Sequence, residues 1–192
     1  RDQFQRNAIV RGINNCNDND LILISDLDEI PNPKKILEFN DKDRYVCFVQ
    51  NNYLFKFNLL NITEPNWYGT RMCRKKDLKS PQWLREIKAR KLPFYKFYKP
   101  KFDRFIVNGG WHFSSVKNAE GIYKKLNCYS EQQFNNETYK NLDEIEKKII
   151  ERKDLFNRNY KYKVVKIDRS FPNFIFKNQE NLKNLIYNEK NI

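Results

Sequence analysis

Four consecutive apolar residues, Leu21 to Ile24, run without a spacer into Ser25-Asp26-Leu27-Asp28-Glu29-Ile30-Pro31. A short continuous apolar run bounded by polar residues suits a strand covered on both faces, as in a parallel sheet. The carboxyl ends of such strands are where open α/β sheets bind their ligands, and here that end carries three carboxylates. Pro33 then opens a short helix through Phe39.

The rest of the chain extends the pattern. Phe4, Ala8, Ile9 and Ile13 recur at near-helical spacing and predict an amphipathic helix ending between Gly12 and Asn15. Residues 44–60 are dense in Val, Tyr and Phe and read as strands, in a hairpin. Further strands are expected at 68–73, at 104–115 on either side of Gly109-Gly110, and at 162–167. Helices are expected at 81–91, 119–126, 142–152 and 181–188. Helix, buried strand, acidic loop, helix and mixed strands together make an α/β fold. No linker interrupts the chain, so residues 1–192 are read as a single domain. Because the first residues already read as the middle of a helix and residue 1 is Arg, that domain is expected to be partial, lacking its N-terminal portion.

The acidic stretch carries the chemistry. In an extended segment Asp-x-Asp points two carboxylates to the same side, and two such charges repel unless a cation lies between them. Hard divalent ions such as Mg²⁺ or Mn²⁺ take oxygen ligands of this kind and can in turn bind a diphosphate. The plainer account of a lone Asp-x-Asp is a solvated turn; its position directly after a buried strand and before Glu-Ile-Pro favours the metal. A second stretch, Asn108-Gly109-Gly110-Trp111-His112-Phe113-Ser114-Ser115, holds the sole histidine of the chain. Trp111 offers a flat face to a sugar or base. His112 is a candidate to complete a metal's coordination or to orient a phosphate, against the plainer account of a hydrogen-bonded core histidine.

Charge is the other strong signal. Lys plus Arg number 37 against 24 acidic residues, a net +13, which draws polyanions: nucleic acid, acidic membranes or nucleotide-sugar phosphates. The densest basic stretch, residues 85–101, interleaves cations with Phe and Tyr, but no nucleic-acid-binding signature accompanies it and a solvated basic face is the simpler reading. Cys16, Cys47, Cys73 and Cys128 form no CxxC pair and read as free, buried thiols. Asn61-Ile62-Thr63 and Asn136-Glu137-Thr138 are sequons by pattern, in a chain so rich in Asn that chance matches are expected.

Together, RDQFQRNAIVRGI, LILISDLDEIP, GGWHFSS and AEGIYKKL, with a weaker FPNFIFKN, resemble glycosyltransferase family 17, in the family's order and over most of the chain. The resemblance implies a GT-A-like, Rossmann-like fold that holds a nucleotide-sugar through a divalent metal, Mn²⁺ or Mg²⁺. Carried over by position, Asp28 is the direct metal ligand, Asp26 lies near the ribose or the metal, Arg6 contacts the donor, and His112 is the family's GWH histidine. The implied partners are a UDP-sugar donor, UDP-GlcNAc first, and a glycan acceptor. No nucleic acid is expected, and the basic surface suits peripheral association with a membrane. Inverting transfer also asks for a carboxylate base, for which Glu29, Glu120 and Glu131 are candidates. Trp67, Tyr68 and Trp111 are candidates to stack on sugar rings, with Trp67 read as a core residue. Arg71, Arg74 and Lys75 are read as surface cations able to balance phosphate. Two rival readings are a metal-dependent phosphoryl-transfer enzyme and a basic nucleic-acid-binding module. The first wants a second acidic cluster that the sequence lacks; the second predicts steeply salt-dependent retention on DNA or RNA.

Overall fold

The structure is a computed structural model that describes residues 2–89, 98–128, 141–156 and 158–188. In chain order the helices are α1 (Asp2–Ala8), α2 (Pro33–Ile36), α3 (Pro81–Glu86), α4 (Ala119–Cys128), α5 (Leu142–Ile150) and α6 (Asn173–Lys177). The strands are β1 (Leu21–Ile24), β2 (Glu29–Pro31), β3 (Tyr45–Leu54), β4 (Leu59–Asn61), β5 (Asn66–Arg74), β6 (Arg104–Ile106), β7 (Gly110–Ser114) and β8 (Tyr162–Val164). The fold is mixed α/β. Its chain divides into two compact units, the first made of Arg1–Gln50 and Trp67–Trp111, the second of Asn51–Asn66 and His112–Ile192.

In the first unit β1 pairs with β5, and β5 with β3. The β1–β5 pairing is antiparallel, with Leu21 opposite Arg74 and Ile24 opposite Arg71. The parallel partner expected for the LILI strand is therefore replaced by an antiparallel one. The apolar run has a different cause: both faces are packed. Ile22 and Ile24 are buried with Tyr45, Cys47, Cys73, Leu84, Ile87 and Phe102 on one side. Leu21 and Leu23, half-buried, pack on the other against Val46, Phe48, Met72 and Ile106. Each such large side chain, once buried, contributes about 1.5–3 kcal/mol. A continuous apolar run reports cover on two faces, not the direction of the neighbouring strand. Parallel pairing does occur between β3 and β6, with Val46 opposite Arg104.

Two helices of this unit start as their sequences ask. Asn32 accepts from the Lys34 N–H at the head of α2, and Ser80 Oγ accepts from the Trp83 N–H at the head of α3; each helix has Pro in its first turn. The N-terminal helix departs from expectation in its packing. It tightens into a 3-10 turn over Ile9–Ile13, and Phe4 and Ile9 of its apolar stripe are exposed, as is the neighbouring Val10. Gly110 has φ +143°, and a Cβ there would fall 2.1 Å from the Ile30 carbonyl oxygen. Gly110 is thus required by a backbone crossing against β2, beside which Asn32 N donates to Gly109 O at 2.8 Å, while a Cβ on Gly109 would fall 2.8 Å from Ile106 O and 2.9 Å from the Phe48 Cβ.

In the second unit β3 and β4 form the expected hairpin, Tyr53 opposite Leu60, and β8 adds antiparallel to β4. Helices α4 and α5 cover this layer through Ile122, Leu126, Ile145 and Ile149, which cluster with Leu54, Phe55, Leu59, Leu155, Tyr162 and Tyr187. The helix expected at 181–188 is a single 3-10 turn, Lys183–Leu185, and α6 precedes it. No helix among the described residues is long and apolar enough to cross a membrane.

Candidate active site

The acidic stretch is a turn and not an extended segment. The Glu29 N–H donates to Asp26 O at 3.0 Å, closing the chain through Leu27 and Asp28. Period-two alternation therefore does not align Asp26 with Asp28. Leu27 at the turn is fully exposed, while Asp26 and Asp28 are half-buried. The turn follows β1 at once because Ser25 is pinned to the next strand: its hydroxyl lies 2.7 Å from Thr70 Oγ1.

Glu29 sits inside. Its side chain has no exposed surface, and both oxygens are engaged. Arg85 donates from Nη1 to Oε2 at 2.8 Å and from Nη2 to Oε1 at 2.9 Å. The Trp67 indole N–H donates to Oε1 at 2.8 Å, and the Asp26 N–H to Oε2 at 3.1 Å. A planar guanidinium meeting a carboxylate with two parallel bonds is the strongest geometry this pair has. Burial alone would lower the Arg85 pKa; the Glu29 hydrogen bond and the charges of Glu29 and Asp26 outweigh it and raise that pKa.

Asp26 is held by two guanidiniums. Arg85 Nη2 donates to Oδ2 at 2.7 Å, and Arg6, reaching from α1, donates from Nε and Nη2 at 3.2 Å. Arg6 is steadied by Gln82 of α3. The sequence-predicted residues Arg6, Asp26, Asp28 and Glu29 thus come together in one unit. They are organised by Arg85, which sequence reading treated only as the start of a basic stretch. Its signal was weak: a single Arg in the last turn of a short helix, 56 residues beyond the carboxylate it binds.

The aromatic candidates sort differently from expectation. Trp111 is buried at 8% exposure, whereas Trp67, expected in the core, is 39% exposed and Tyr68 43%. Tyr68 meets Phe105 edge-to-face at 5.7 Å. Beside the acidic turn, then, Trp67 keeps its indole N–H on Glu29 and part of its ring in solvent.

His112 belongs to the second unit and is buried, its Nδ1–H donating to Asn52 Oδ1 at 2.9 Å. Glu120 is exposed on α4 and accepts from Asn118. Glu131, the sequon at Asn136 and part of the basic stretch (residues 90–97) lie outside the described residues, as does the side chain of Cys128. Cys47 and Cys73 are buried free thiols whose pKa values burial pushes up to about 12, which keeps them protonated and unreactive near neutrality. Cys16 is a half-buried free thiol.

Among the described residues no group of three or more His, Cys, Asp or Glu side chains is placed to hold a metal ion. Ions that carry nucleotides are commonly bound by one or two carboxylates, with phosphate oxygens and water completing the shell. Asp28, half-buried in the same turn, carries a carboxylate of the chemistry such an ion takes.

The family model for glycosyltransferase family 17 matches residues 1–186. The chain belongs to glycosyltransferase family 17. It is therefore a glycosyltransferase domain, with a sugar donor and a glycan acceptor as its partners, and the nucleic-acid-module and phosphoryl-transfer readings give way to this one. No curated protein and no solved structure matches the chain.

Proposed function

We propose that this family 17 domain is a GT-A-like, metal-dependent, inverting transferase that moves a sugar, GlcNAc first among candidates, from a UDP-sugar to a hydroxyl of an acceptor glycan. One observation carries the reading: the acidic turn that closes β1 is clamped by Arg85 through both Glu29 and Asp26. Such a turn is preorganised, and groups fixed before the reaction stabilise developing charge without reorganising.

The residues take distinct roles. Asp28 would hold Mn²⁺ or Mg²⁺, and the bound ion supplies a Lewis acid that offsets charge on the departing diphosphate. Arg6 and Arg85 fix Asp26 toward the donor's ribose or the ion. Glu29, with its oxygens committed to Arg85 and Trp67, positions the turn instead of serving as the base. Trp67 and Tyr68 present aromatic faces on which a sugar ring can stack.

The test is a transfer assay. UDP release from UDP-GlcNAc, with an N-glycan or polysaccharide acceptor and Mn²⁺, should require both acceptor and ion. It should cease in EDTA and recover on adding Mn²⁺. Release that persists unchanged in EDTA contradicts metal dependence, and no release from any UDP-sugar contradicts the donor class.

A further inference from the structure

The sequence reads Arg71 as a surface cation able to balance phosphate, and the structure buries it. It is 8% exposed. Its place is set by register: Arg71 lies opposite Ile24, the last residue of β1, so its side chain leaves the sheet on the face of Ile24 and immediately before the acidic turn. The stem emerges beside the apolar cluster of Ile24, Cys47, Cys73 and Phe102, and the guanidinium carbon stands 5.8 Å from the Phe102 ring centre.

The head group is poorly matched to these surroundings. Nη1 donates to Gly69 O at 2.7 Å, and that same carbonyl accepts from Arg85 Nη1 at 2.9 Å. Two guanidiniums therefore converge on one oxygen. The carboxylates nearby, Glu29 and Asp26, are bonded to Arg85 and Arg6. Arg71 has no carboxylate partner among the described residues, and its Nε is a buried donor with no acceptor. Burial, and next the charge of Arg85, push its pKa down from the usual arginine value. An orphaned buried donor and a buried cation without a direct ion-pair partner each cost stability.

What this position does offer is a shape. With Nη1 committed to Gly69, the edge left without an acceptor is the one formed by Nε, which is buried, and Nη2. That edge presents two parallel N–H groups, the arrangement that binds a phosphate or carboxylate with two bonds. It lies on β5 opposite the residue from which the acidic turn departs. We propose that Arg71 is an anion-binding residue of the active site and takes a phosphate of the donor's diphosphate through Nε and Nη2. The identity of the anion rests on the transferase reading above; the anion site itself rests on the orphaned edge.

The probe is inorganic pyrophosphate, titrated calorimetrically into the whole chain in EDTA, so that no ion contributes. The wild type should bind it. Arg71→Met should weaken binding by about tenfold to a hundredfold, as expected for losing charge-assisted hydrogen bonds, with a melting temperature equal to or above the wild type's. Arg71→Lys keeps the charge and lacks the fork, and should fall between the two. Should the Met variant not fold, the Lys variant carries the test alone. Wild-type affinity in the folded variant overturns the proposal, as does failure of the wild type to bind pyrophosphate. A melting temperature that drops along with binding assigns Arg71 a structural role and also overturns it. The transferase reading is tested separately, by Mn²⁺-dependent UDP binding that needs Asp28: that arm can fail while pyrophosphate binding still depends on Arg71, and the reverse.

Discussion

Arg85 grips Glu29 with both terminal nitrogens at 2.8 and 2.9 Å, in a pair whose side chains are 8% and 0% exposed. This contact ties α3 to the end of β1 and fixes the turn that carries Asp28. A buried pair of this kind gives little net stability as a whole, but removing one partner strands the other. Glu29→Gln should therefore lower unfolding free energy by about 3–5 kcal/mol, read by urea denaturation. Arg85→Met should cost a similar amount, and a variant lacking both should recover part of the loss. Additive losses in the double variant would contradict the pairing.

The glycines of the second motif act through the backbone. At Gly110 both φ and the 2.1 Å approach of Ile30 O exclude a side chain. Gly110→Ala should destabilise by well over ~1 kcal/mol and disturb β2, which Glu29 begins. Gly12→Ala, with nothing within 4 Å of its Cβ, is the control and should leave the melting temperature equal to or slightly above the wild type's.

Trp67 links the buried carboxylate to the surface. Trp67→Phe keeps the ring and removes the N–H to Glu29, so it should cost about 1–3 kcal/mol of stability and leave the sugar KM near its original value. Trp67→Ala should also raise that KM by roughly twofold to tenfold, the scale of one stacking contact. Equal KM values in the two variants would remove the ring from the sugar site.

Acid sensitivity should have a source in the second unit. Asp154, whose side chain is 2% exposed, is bonded by Arg158 and Tyr162. Burial opposes its ionisation, yet the Arg158 bonds and charge outweigh burial and hold its pKa below the usual value. A depressed carboxylate pKa gives stability that is present above the unfolded value of about 3.9 and is lost as pH falls through the folded value. Asp154→Asn should thus lower stability at neutral pH and flatten its decline below about pH 4. An unchanged acid limb would place the titrating group elsewhere.

These relationships differ in how far local sequence reports them. The LILI run shows a strand packed on both faces because each residue must be apolar whichever way it points, and the acidic turn is visible as adjacent carboxylates. Nothing near them reports β5 as an antiparallel partner or Arg85 as their counter-charge, since both arrive from dozens of residues away. Trp67 and Arg71 were misplaced for the same reason: a Trp reads as core and an Arg as surface until the register of β5 sets which contacts each one meets. The Asp-x-Asp geometry failed locally, because a hydrogen bond from Glu29 to Asp26 turns a segment that alternation treats as extended.

The most direct test of the account is a calorimetric titration of UDP with and without Mn²⁺ in the wild type and in Asp28→Ala. The account predicts binding in the wild type that needs Mn²⁺, and none in the variant while its melting temperature is retained. UDP affinity that is the same in Asp28→Ala, or indifferent to Mn²⁺, would contradict it.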